Sequence, residues 1–487
     1  MTSSNRLQLC IVRETARGTP PVSPRMRKMR IRSETLAYRP EFADSEELRA
    51  DRMSSDPAMI MKSSAGGVAF ELSYPVDASP LSEIIANAML NDWANTPVRD
   101  NDGTADSAIT GVTASTGVIT VAAGAAFAVG HLVRLSGFGV AANNGVFRIT
   151  TGSATVPAVG AALLADEAAP AAAARMKVVG FAGAAGDITA TATGLASTAL
   201  DFTTLGLSVG RWIKIGGTAA GDRFATAVLN GWARIIAISA NALTLDNLPA
   251  GWAIDAGAGK TLKVFVGDQV KNGVTRIAHT IEKGFLGQAV PAYICSYGLH
   301  ANEFGISMTN RQIITGSVTF VGMGGALNSA PLDASPDAET DAAVMASHVN
   351  VGRIAEGGAL VAAPNWARSL SYTINNNYGA VEDLQADAPV DARDGEATVT
   401  GTAEFYFGSD LLLQKFFAGT PTSINSIVRK NGQALITTLP RVTYNGNGTP
   451  QAGGKNQDVM QSFEFKASKD TLTQAHILMD RLEYFEA

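Results

Sequence analysis

Two short segments that alternate strictly between polar and apolar residues constrain the fold of this chain most. They are TGTAEFYF (Thr400–Phe407) and TGSVTFVG (Thr315–Gly322). Successive side chains of a β-strand point to opposite faces, so this period of two predicts strands with one buried face. The second face of both strands carries mainly Thr, Ser and Glu, and a repeated surface of this kind suggests a shared role.

The composition places these strands in a mainly β protein. With 46% apolar residues the chain can bury a sizeable core, and a length of 487 residues predicts about three domains at about 150 residues each. Only 17% of the residues are charged, and 49 glycines suit short strands joined by many turns. We therefore predict a β-sandwich or barrel with one flanking α-helix, into which two small β modules are inserted in tandem.

The flanking helix is predicted in the segment SPLSEIIANAML. Ser79 can cap the first turn, and Pro80 suits the first helical position. Ile84, Ile85 and Met89 share one helical face, which predicts that this face packs on the sheet.

An internal repeat defines the inserted modules. FAVGHLVRLSG (Phe127–Gly137) corresponds to LSVGRWIKIGG (Leu207–Gly217), and NNGVFRIT (Asn143–Thr150) corresponds to LNGWARII (Leu229–Ile236). The predicted division is residues 1–102 (arm, long loop, first strands and helix), 103–186 (module 1), 187–268 (module 2) and 269–487 (the rest of the sandwich). We call residues 1–102 and 269–487 the body, and residues 103–268 the inserted region.

The charge is distributed unevenly along the chain. Residues 1–32 contain eight Arg or Lys residues and one Glu, a net charge of +7, while the whole chain has a net charge of −6. A basic arm on an acidic body is compatible with nucleic-acid contact. Because the arm has no interleaved aromatic residues, we favour an extended segment that lies on the acidic surface of its own body or of a neighbour.

The sequence contains no recognisable catalytic or metal-binding constellation. The five histidines are scattered, the acidic segments lack the ligand spacing of a calcium loop, and no serine lies in a nucleophile elbow. We therefore predict no enzymatic activity, no metal and no cofactor. Cys10 and Cys295 are predicted to be ordinary buried thiols. No apolar run is long enough to span a bilayer, so we expect the protein to fold in a cytoplasm.

An ordered set of segments resembles the tail tube proteins of long-tailed bacteriophages. The set covers roughly residues 1–100 and 268–487, and the inserted region lies outside it. Its segments are ELRADR, GGVAFELSYPVDASPLSEIIANAML, HTIEKGF, EFGISMTNRQIITGSVTFVGMGG, TINNNYG, TVTGTAEFYFGSDLLLQKFFAGT and VMQSFEFKASKD.

The resemblance implies a hexameric ring that stacks into a hollow tube. Such a tube surrounds a tape-measure protein, ends at a tail-terminator protein, and later conducts the viral DNA without sequence readout. The protein would then be made in the cytoplasm of the bacterial host and become part of the virion.

A channel for DNA offers an interpretation of the repeated polar strands. A basic wall would hold DNA by counterion release, whereas a wall of Thr, Ser and Glu would not. Two alternatives are that this face packs against a neighbouring subunit, and that it lies on the outer surface. The candidate residues facing the channel are Thr315, Ser317, Thr319, Thr400, Thr402 and Glu404.

The uneven charge suggests how rings could contact each other. The basic arm and the loop at residues 41–66 would meet acidic loops of adjacent subunits, and the inserted modules would decorate the exterior. The candidate residues for contacts between rings are Arg25, Arg27, Lys28, Arg30, Asp337, Glu339, Asp391 and Asp394.

A carbohydrate-binding adhesin or a tail-fibre-like protein is the main alternative function. Trp212, Trp232 and Trp252 all lie in module 2 and could stack on sugar rings of the host surface. Tryptophan in a small β module also serves as ordinary core packing. An enzyme such as a depolymerase is a third possibility, for which no acid pair or nucleophile is recognisable.

Overall fold

The computed structural model describes residues 4–102 and 108–484 and is mainly β, which confirms the predicted fold class. In chain order the described residues begin with a 3-10 turn (Ser4–Arg6), β1 (Leu7–Arg13), β2 (Arg27–Lys28), β3 (Ser33–Glu34), β4 (Ala37–Ala43), β5 (Ala58–Glu71), α1 (Pro80–Met89) and β6 (Val98–Asp100). The inserted region contains β7 (Ile109–Thr113), β8 (Val118–Val121), β9 (His131–Ser136), β10 (Gly145–Arg148), β11 (Arg175–Ala182), β12 (Thr189–Thr191), β13 (Gly194–Ala196), β14 (Trp212–Ile215), β15 (Trp232–Ile238), β16 (Ala242–Asp246) and β17 (Lys263–Val266), with 3-10 turns at Ala141–Asn143, Phe202–Thr204 and Ala227–Leu229.

The second part of the body adds fifteen strands and two helices among the described residues. They are β18 (Asp268–Lys271), β19 (His279–Phe285), β20 (Ala292–Thr309), β21 (Thr315–Gly322), β22 (Gly324–Asn328), α2 (Ser347–Asn350), β23 (Val351–Glu356), β24 (Ala359–Leu360), β25 (Ala367–Asn375), β26 (Gly379–Val381), β27 (Asp391–Arg393), β28 (Thr398–Tyr406), α3 (Leu411–Ala418), β29 (Thr422–Lys430), β30 (Gln433–Asn445), β31 (Met460–Ala467) and β32 (Leu478–Glu483).

Helix α1 forms where the sequence predicts it. The Ser79 side chain accepts a hydrogen bond from the backbone N–H of Ser82, and Leu90 ends the helix in a left-handed conformation. Ile84, Ile85 and Met89 are buried in the main core, so the apolar face of the helix packs on the sheets as expected.

A front sheet carries both of the alternating strands. Antiparallel pairing runs in the order β5, β21, β20, β25, β28, β31 and the end of β30. One face of this sheet is buried, as illustrated by Phe304, Val318, Tyr372, Ala403 and Phe463. The predicted alternation in β21 and β28 is therefore confirmed.

A back sheet closes the other side of the core. It pairs β23 with β29, β29 with β30, β30 with β32, and β32 with β18. Val428, Leu435 and Met479 point into the core that is shared with the front sheet. Ile427 and Ile436 point to the opposite side and are also fully buried, so the back sheet is covered on both faces.

Two long strands connect the sheets of the body. The first half of β20 pairs with β19 and β22, whereas its second half belongs to the front sheet. Similarly, β30 pairs with β29 and β32 through its first half and with β31 through its end. The arm joins this framework because β1 pairs with β19 and with β2.

The inserted region contains two packed cores and supplies nine strands of one shared ten-stranded sheet, whose tenth strand is β6 of the body. One core includes Phe127 and Met176 of module 1, and the other includes Phe224 and Val264 of module 2. Strands β11 and β17, which correspond in the sequence repeat, lie side by side and antiparallel. On the side away from this contact, β11 pairs with β9 and β17 pairs with β14, and β9 and β14 also correspond in the repeat. The modules are therefore related by an approximate two-fold axis.

The repeat extends to individual hydrogen bonds. The Asn144 side chain accepts a bond from the Phe138 N–H and donates one to the Phe138 carbonyl, both at 3.0 Å. Asn230 makes the same two bonds with the backbone of Phe224, both at 2.9 Å. The two loops, which correspond in the sequence repeat, are thus held by the same pair of hydrogen bonds.

The inserted region packs on the back sheet through one large aromatic side chain. Trp212 of β14 is fully buried against Ile427, Ile436 and Leu482, and its Nε1 donates a 2.8 Å hydrogen bond to Thr438 Oγ1. The layers of the molecule are therefore the front sheet, the core, the back sheet and the inserted modules. The exposed face of the front sheet lies on the side away from the modules.

Helix α3 corrects one prediction, because the sequence predicted a single helix beside the sandwich. The segment LLLQKFFA has no alternation, consists largely of good helix formers, and ends at Gly419 in a left-handed conformation. The predicted domain boundaries stay predictions, and the start of module 1 falls on residues 103–107, which lie outside the described residues.

Candidate functional site

The exposed face of the front sheet forms a continuous polar surface, which we call the polar face. It is made of side chains that are register partners across the strands. One row is Ala69, Ser317, Gly305, Thr373, Thr400, Lys466 and Thr443, and the next is Glu71, Thr315, Ser307, Ser371, Thr402, Glu464 and Asn445. Hydroxyl groups therefore occupy eight of the fourteen positions in these two adjacent rows.

All six candidate channel residues lie on the polar face. Ser317, Thr319, Thr400 and Thr402 are exposed, and Thr315 and Glu404 are half-buried. The structure thus brings together the side chains of two strands that are far apart in the sequence.

Other residues of the polar face were missed by the sequence analysis. Ser307 on β20, and Ser371 and Thr373 on β25, complete the surface between the two recognised strands. The segment RSLSYTIN has the same alternation as the recognised strands, so this signal was present and could have identified two of the three.

The side chains of the polar face are tied to one another and carry little positive charge. Ser371 Oγ lies 2.7 Å from Thr402 Oγ1, and Asn375 Nδ2 donates to Glu303 Oε1 at 3.0 Å. The carboxylates in and beside these rows are Glu71, Glu303, Glu404 and Glu464, and the cations are Lys466 with Arg32 and Arg368 at the margins. Such a surface offers no strong grip to a polyanion.

Gly316 and Gly401 lie on the buried side of this sheet, each opposite a phenylalanine. Gly316 pairs with Phe70 and Gly401 pairs with Phe465, and a Cβ on either glycine would come within 2.4 Å of the partner ring. The two Thr-Gly strands are thus two copies of one cross-strand Gly–Phe arrangement.

The basic arm lies on an acidic loop of its own chain. The Arg25 and Arg27 guanidiniums lie 2.8 and 3.4 Å from the Asp337 carboxylate, and the backbone of Lys28 donates to the Asp337 carbonyl. Arg30 Nη1 donates to the carbonyls of Thr340 and Ala342 at 3.2 and 2.5 Å. Glu339 is exposed beside these contacts.

The other two acidic candidates also have partners within the chain. Asp391 accepts from Arg17 at 3.0 Å and from Arg276 at 3.3 Å. Asp394 lies 3.5 Å from Arg276. The four basic candidates therefore lie in the arm. The four acidic candidates lie in two separate segments, one with Asp337 and Glu339 and the other with Asp391 and Asp394.

A buried charge cluster joins module 1 to the body. Lys177 Nζ of β11 and Arg481 Nε of β32 lie 2.6 and 2.8 Å from the same carboxylate oxygen of Asp268. Burial alone would raise the pKa of Asp268, but the two cations outweigh it and hold this pKa well below its usual range. Burial lowers the pKa of Lys177 to about 8, against the opposing effect of Asp268.

A second buried carboxylate lies where module 2 meets the body. Asp480 Oδ1 accepts from Gln269 Nε2 at 3.0 Å and from the Trp212 N–H at 3.3 Å. Among the described residues its Oδ2 has no hydrogen-bond partner. Burial raises the pKa of Asp480 to about 7, and nearby Arg211 only partly opposes this.

The tryptophans do not form a common sugar-binding platform. Trp212 is fully buried, Trp252 Nε1 donates to the Thr191 carbonyl, and Trp232 packs edge-on against Tyr484. Trp212 is therefore a core residue, in line with the alternative interpretation that these tryptophans serve in core packing.

Outside these surfaces, the two cysteines are buried thiols, as the sequence predicts. Cys10 and Cys295 are buried, and burial raises the pKa of their thiols to about 11 and about 12. Within residues 4–102 and 108–484 no group of three or more His, Cys, Asp or Glu side chains is arranged to hold a metal ion. In the same part of the chain, no helix has the length and hydrophobicity needed to cross a bilayer.

A family model described as phage tail tube protein matches residues 4–236 and 237–467. The matched residues include the inserted region, which the resemblance seen in the sequence did not cover. No curated protein matches the sequence.

Proposed function

Because this chain belongs to the phage tail tube protein family, we propose that six copies form a ring and that rings stack into a hollow tube for viral DNA. Family membership makes the chain a structural component of the virion tail, which assembles with copies of itself. A tape-measure protein inside the growing tube and a terminator at its end are the partners that this role requires. No enzymatic step is needed for it.

The polar face carries this proposal. It is the one large surface of the front sheet that is neither apolar nor basic, and it lies on the side of the body opposite to the inserted modules. We assign it to the channel wall, where hydroxyl groups and carboxylates would let DNA pass without binding tightly. The modules then lie on the exterior.

A head-to-tail interface suits such an assembly. The same contact repeated by rotation closes a ring, and repeated along an axis it makes a filament. We propose that the arm and the Asp337 loop, which are already held together by ion pairs within one chain, act as one surface toward the adjacent ring.

Electron microscopy of the purified protein tests the assembly. Six-fold rings or tubes with a central hole are expected. A monodisperse monomer or a trimeric fibre would contradict the proposed function and favour the adhesin.

Cysteine labelling tests the assignment of the polar face. Thr402→Cys reports on this face, and Ile254→Cys, on an exposed site of module 2, is the matched control. The native cysteines give little background, because both are buried and their raised pKa values keep them as unreactive thiols at neutral pH.

The two sites should respond differently to reagent size. In assembled tubes a small maleimide should label both positions, whereas a maleimide on a long polymer should label only Ile254→Cys. Protection of Thr402→Cys from both reagents would place this face in a subunit interface. Equal labelling of both positions by both reagents would place it on the outside.

A further inference from the structure

A cleft separates module 2 from one edge of the back sheet. Its module wall is formed by Gly231, Trp232 and residues 246–250, and its body wall is formed mainly by the β23–β24 hairpin. Its volume is about 980 Å³, which is within the size of pockets that hold small molecules in proteins. The cleft is therefore large enough for a ligand.

The polar lining of the cleft is fixed by Asn247, which joins the two walls. Asn247 is buried with a left-handed φ of 54°, and its Oδ1 accepts from Asn425 Nδ2 at 3.0 Å and from Arg353 Nη2 at 3.3 Å. Arg353 Nη2 also donates to the Gly358 carbonyl at 2.9 Å, and its guanidinium lies over the Trp212 ring. Because these contacts tie the hairpin to module 2, the cleft is preformed.

Several polar groups at the cleft can make further hydrogen bonds. Among the described residues, Arg353 Nε and Asn425 Oδ1 are buried without a partner, and Asn425 is only 1% exposed. Asp246 accepts two bonds from Arg234 and one from Asn247, which uses three of the roughly four lone pairs of a carboxylate. Its side chain is 31% exposed, so a ligand hydroxyl can donate to it.

The charges that face the cleft cancel. Asp246 and Arg353 are the ionisable side chains among the described residues that line it. Asp246 is already held by Arg234 in a two-bond fork, and Arg353 is stacked on Trp212 and bonded to carbonyl oxygens. An anion would find little free positive charge here, so the lining favours an uncharged ligand with several hydroxyl groups.

The rest of the lining is largely apolar and includes one aromatic ring. Trp232 is partly exposed and packs edge-on against Tyr484 with ring centroids 5.5 Å apart, so the plane of its indole is fixed. Leu248, Pro249 and Leu360 continue the apolar surface, and Leu360 is 59% exposed. Such a surface fits the C–H face of a sugar ring, whose hydroxyl groups lie around its rim.

We propose that this cleft binds a neutral oligosaccharide of the host surface. One sugar ring stacks on Trp232, and its hydroxyl groups bond with Asp246 and Arg353. In the proposed tube the cleft lies on the exterior beside the modules, where stacked rings present many copies to one polysaccharide and slow its dissociation. Binding by a single chain is independent of assembly, and only the exterior position rests on the proposed tube.

An array of oligosaccharides identifies the ligand class. The probes are neutral oligosaccharides of glucose, galactose, mannose and rhamnose, with sialylated and phosphorylated counterparts. The full-length chain should bind at least one neutral member, and bind it more tightly than the monosaccharide, because a cleft of this volume has room for more than one ring. Binding of acidic members only, or of no member, would overturn the proposal. An equally tight monosaccharide would contradict a surface polysaccharide as the source.

Two variants locate the bound sugar by isothermal titration. Trp232→Ala removes the aromatic surface, and Ala250→Trp fills the cleft from an exposed position. Both should weaken binding at least tenfold. Ala219→Trp, the same substitution at an exposed position of module 2 outside the cleft, is the matched control and should bind as the unaltered chain does. Circular dichroism shows whether each variant is folded, and Ala250→Trp decides the result if Trp232→Ala is not.

Several results would overturn the cleft as the site. Unchanged affinity in Ala250→Trp would place the sugar elsewhere, and equal weakening in Ala219→Trp would show that added bulk anywhere in module 2 disturbs binding. Assembled tubes should bind the same oligosaccharide, and loss of binding on assembly would contradict the exterior position. Binding by a chain that formed neither rings nor tubes would support the cleft and overturn the proposed tube.

Discussion

At the scale of single residues, Asp480 has an unfavourable environment. It is fully buried between module 2 and the body, and one of its oxygens has no hydrogen-bond partner there. Leaving a buried acceptor unsatisfied costs about 1–3 kcal/mol, and more if the group is charged. The raised pKa of Asp480 follows from this cost.

We predict that Asp480→Asn stabilises the protein at alkaline pH. The folded-state pKa of Asp480 is about 7, whereas an aspartate in the unfolded chain titrates near about 3.9. Between these values the folded state binds more protons, so the contribution of Asp480 to stability falls as the pH rises from about 4 to about 7. At pH 8 the variant should gain about 1–3 kcal/mol in the free energy of unfolding.

Denaturation at several pH values measures this effect. The gain should shrink toward pH 4, where the carboxyl is protonated in the folded protein. Asp341→Asn, at an exposed position, should show no such trend. A loss of stability in Asp480→Asn at pH 8 would mean that attraction to Arg211 outweighs the cost of burial.

At the scale of elements, patterns of side chains along one strand were readable from the sequence, and pairings between strands were not. The alternation in β21 and β28 and the capped start of α1 are local, so the sequence predicted them. The Gly–Phe pairs depend on Phe70 and Phe465 reaching the partner strand, and no local pattern in the sequence fixes that register. The single helix predicted in the body became three, because α3 is short and is stabilised by contacts that only the fold supplies.

The polar face shows the same limit at the candidate site. Six of its residues were predicted from alternation, whereas the central strands β20 and β25 were not recognised as part of it. Which strand lies between which depends on long-range pairing, such as Gly305 with Thr373. The individual surface residues are predictable, and their assembly into one sheet is not.

The basic arm is the element for which we predict an effect on both stability and assembly. Replacing Arg25, Arg27 and Arg30 by Glu places three carboxylates beside Asp337 and the backbone carbonyls that now accept from Arg30. We expect the arm to detach from the loop at residues 333–341 and tube formation at moderate salt to fall.

Proteolysis and sedimentation report the two consequences separately. Cleavage in residues 14–32 should become faster, and the sedimenting mass should drop. Arg223→Glu, at an exposed position of module 2, is the control for added negative charge away from the arm. Faster cleavage with normal tubes would restrict the arm to a role within its own subunit.

At the scale of the whole molecule, the inserted modules are part of the packed structure. The back sheet is buried on both faces, by the core on one side and by Trp212 on the other. The Lys177–Asp268–Arg481 cluster adds a second buried junction. The modules thus cover the outer apolar face of the back sheet, which would otherwise be exposed to water.

We predict that Trp212→Ala destabilises the molecule by about 3–5 kcal/mol, since it removes a fully buried indole and its hydrogen bond to Thr438. Thermal unfolding should show the loss as a lower midpoint. Trp366→Ala, at a tryptophan that is more than half exposed, is the control and should unfold nearly as the unaltered protein does. Equal midpoints for both variants would mean that the modules contribute little to the stability of the body.

The approximate two-fold axis between the modules limits how this region can grow. Strand β11 uses one edge for β9 and shares the other between β17 and the body strand β6, and β17 pairs with β11 and β14 at its two edges. A lone module would leave one of these strands with an open edge, which invites aggregation. In the tandem arrangement both edges of β11 and both edges of β17 are paired, so a third module has no equivalent strand to pair with. We therefore expect such modules to be gained or lost in pairs during evolution.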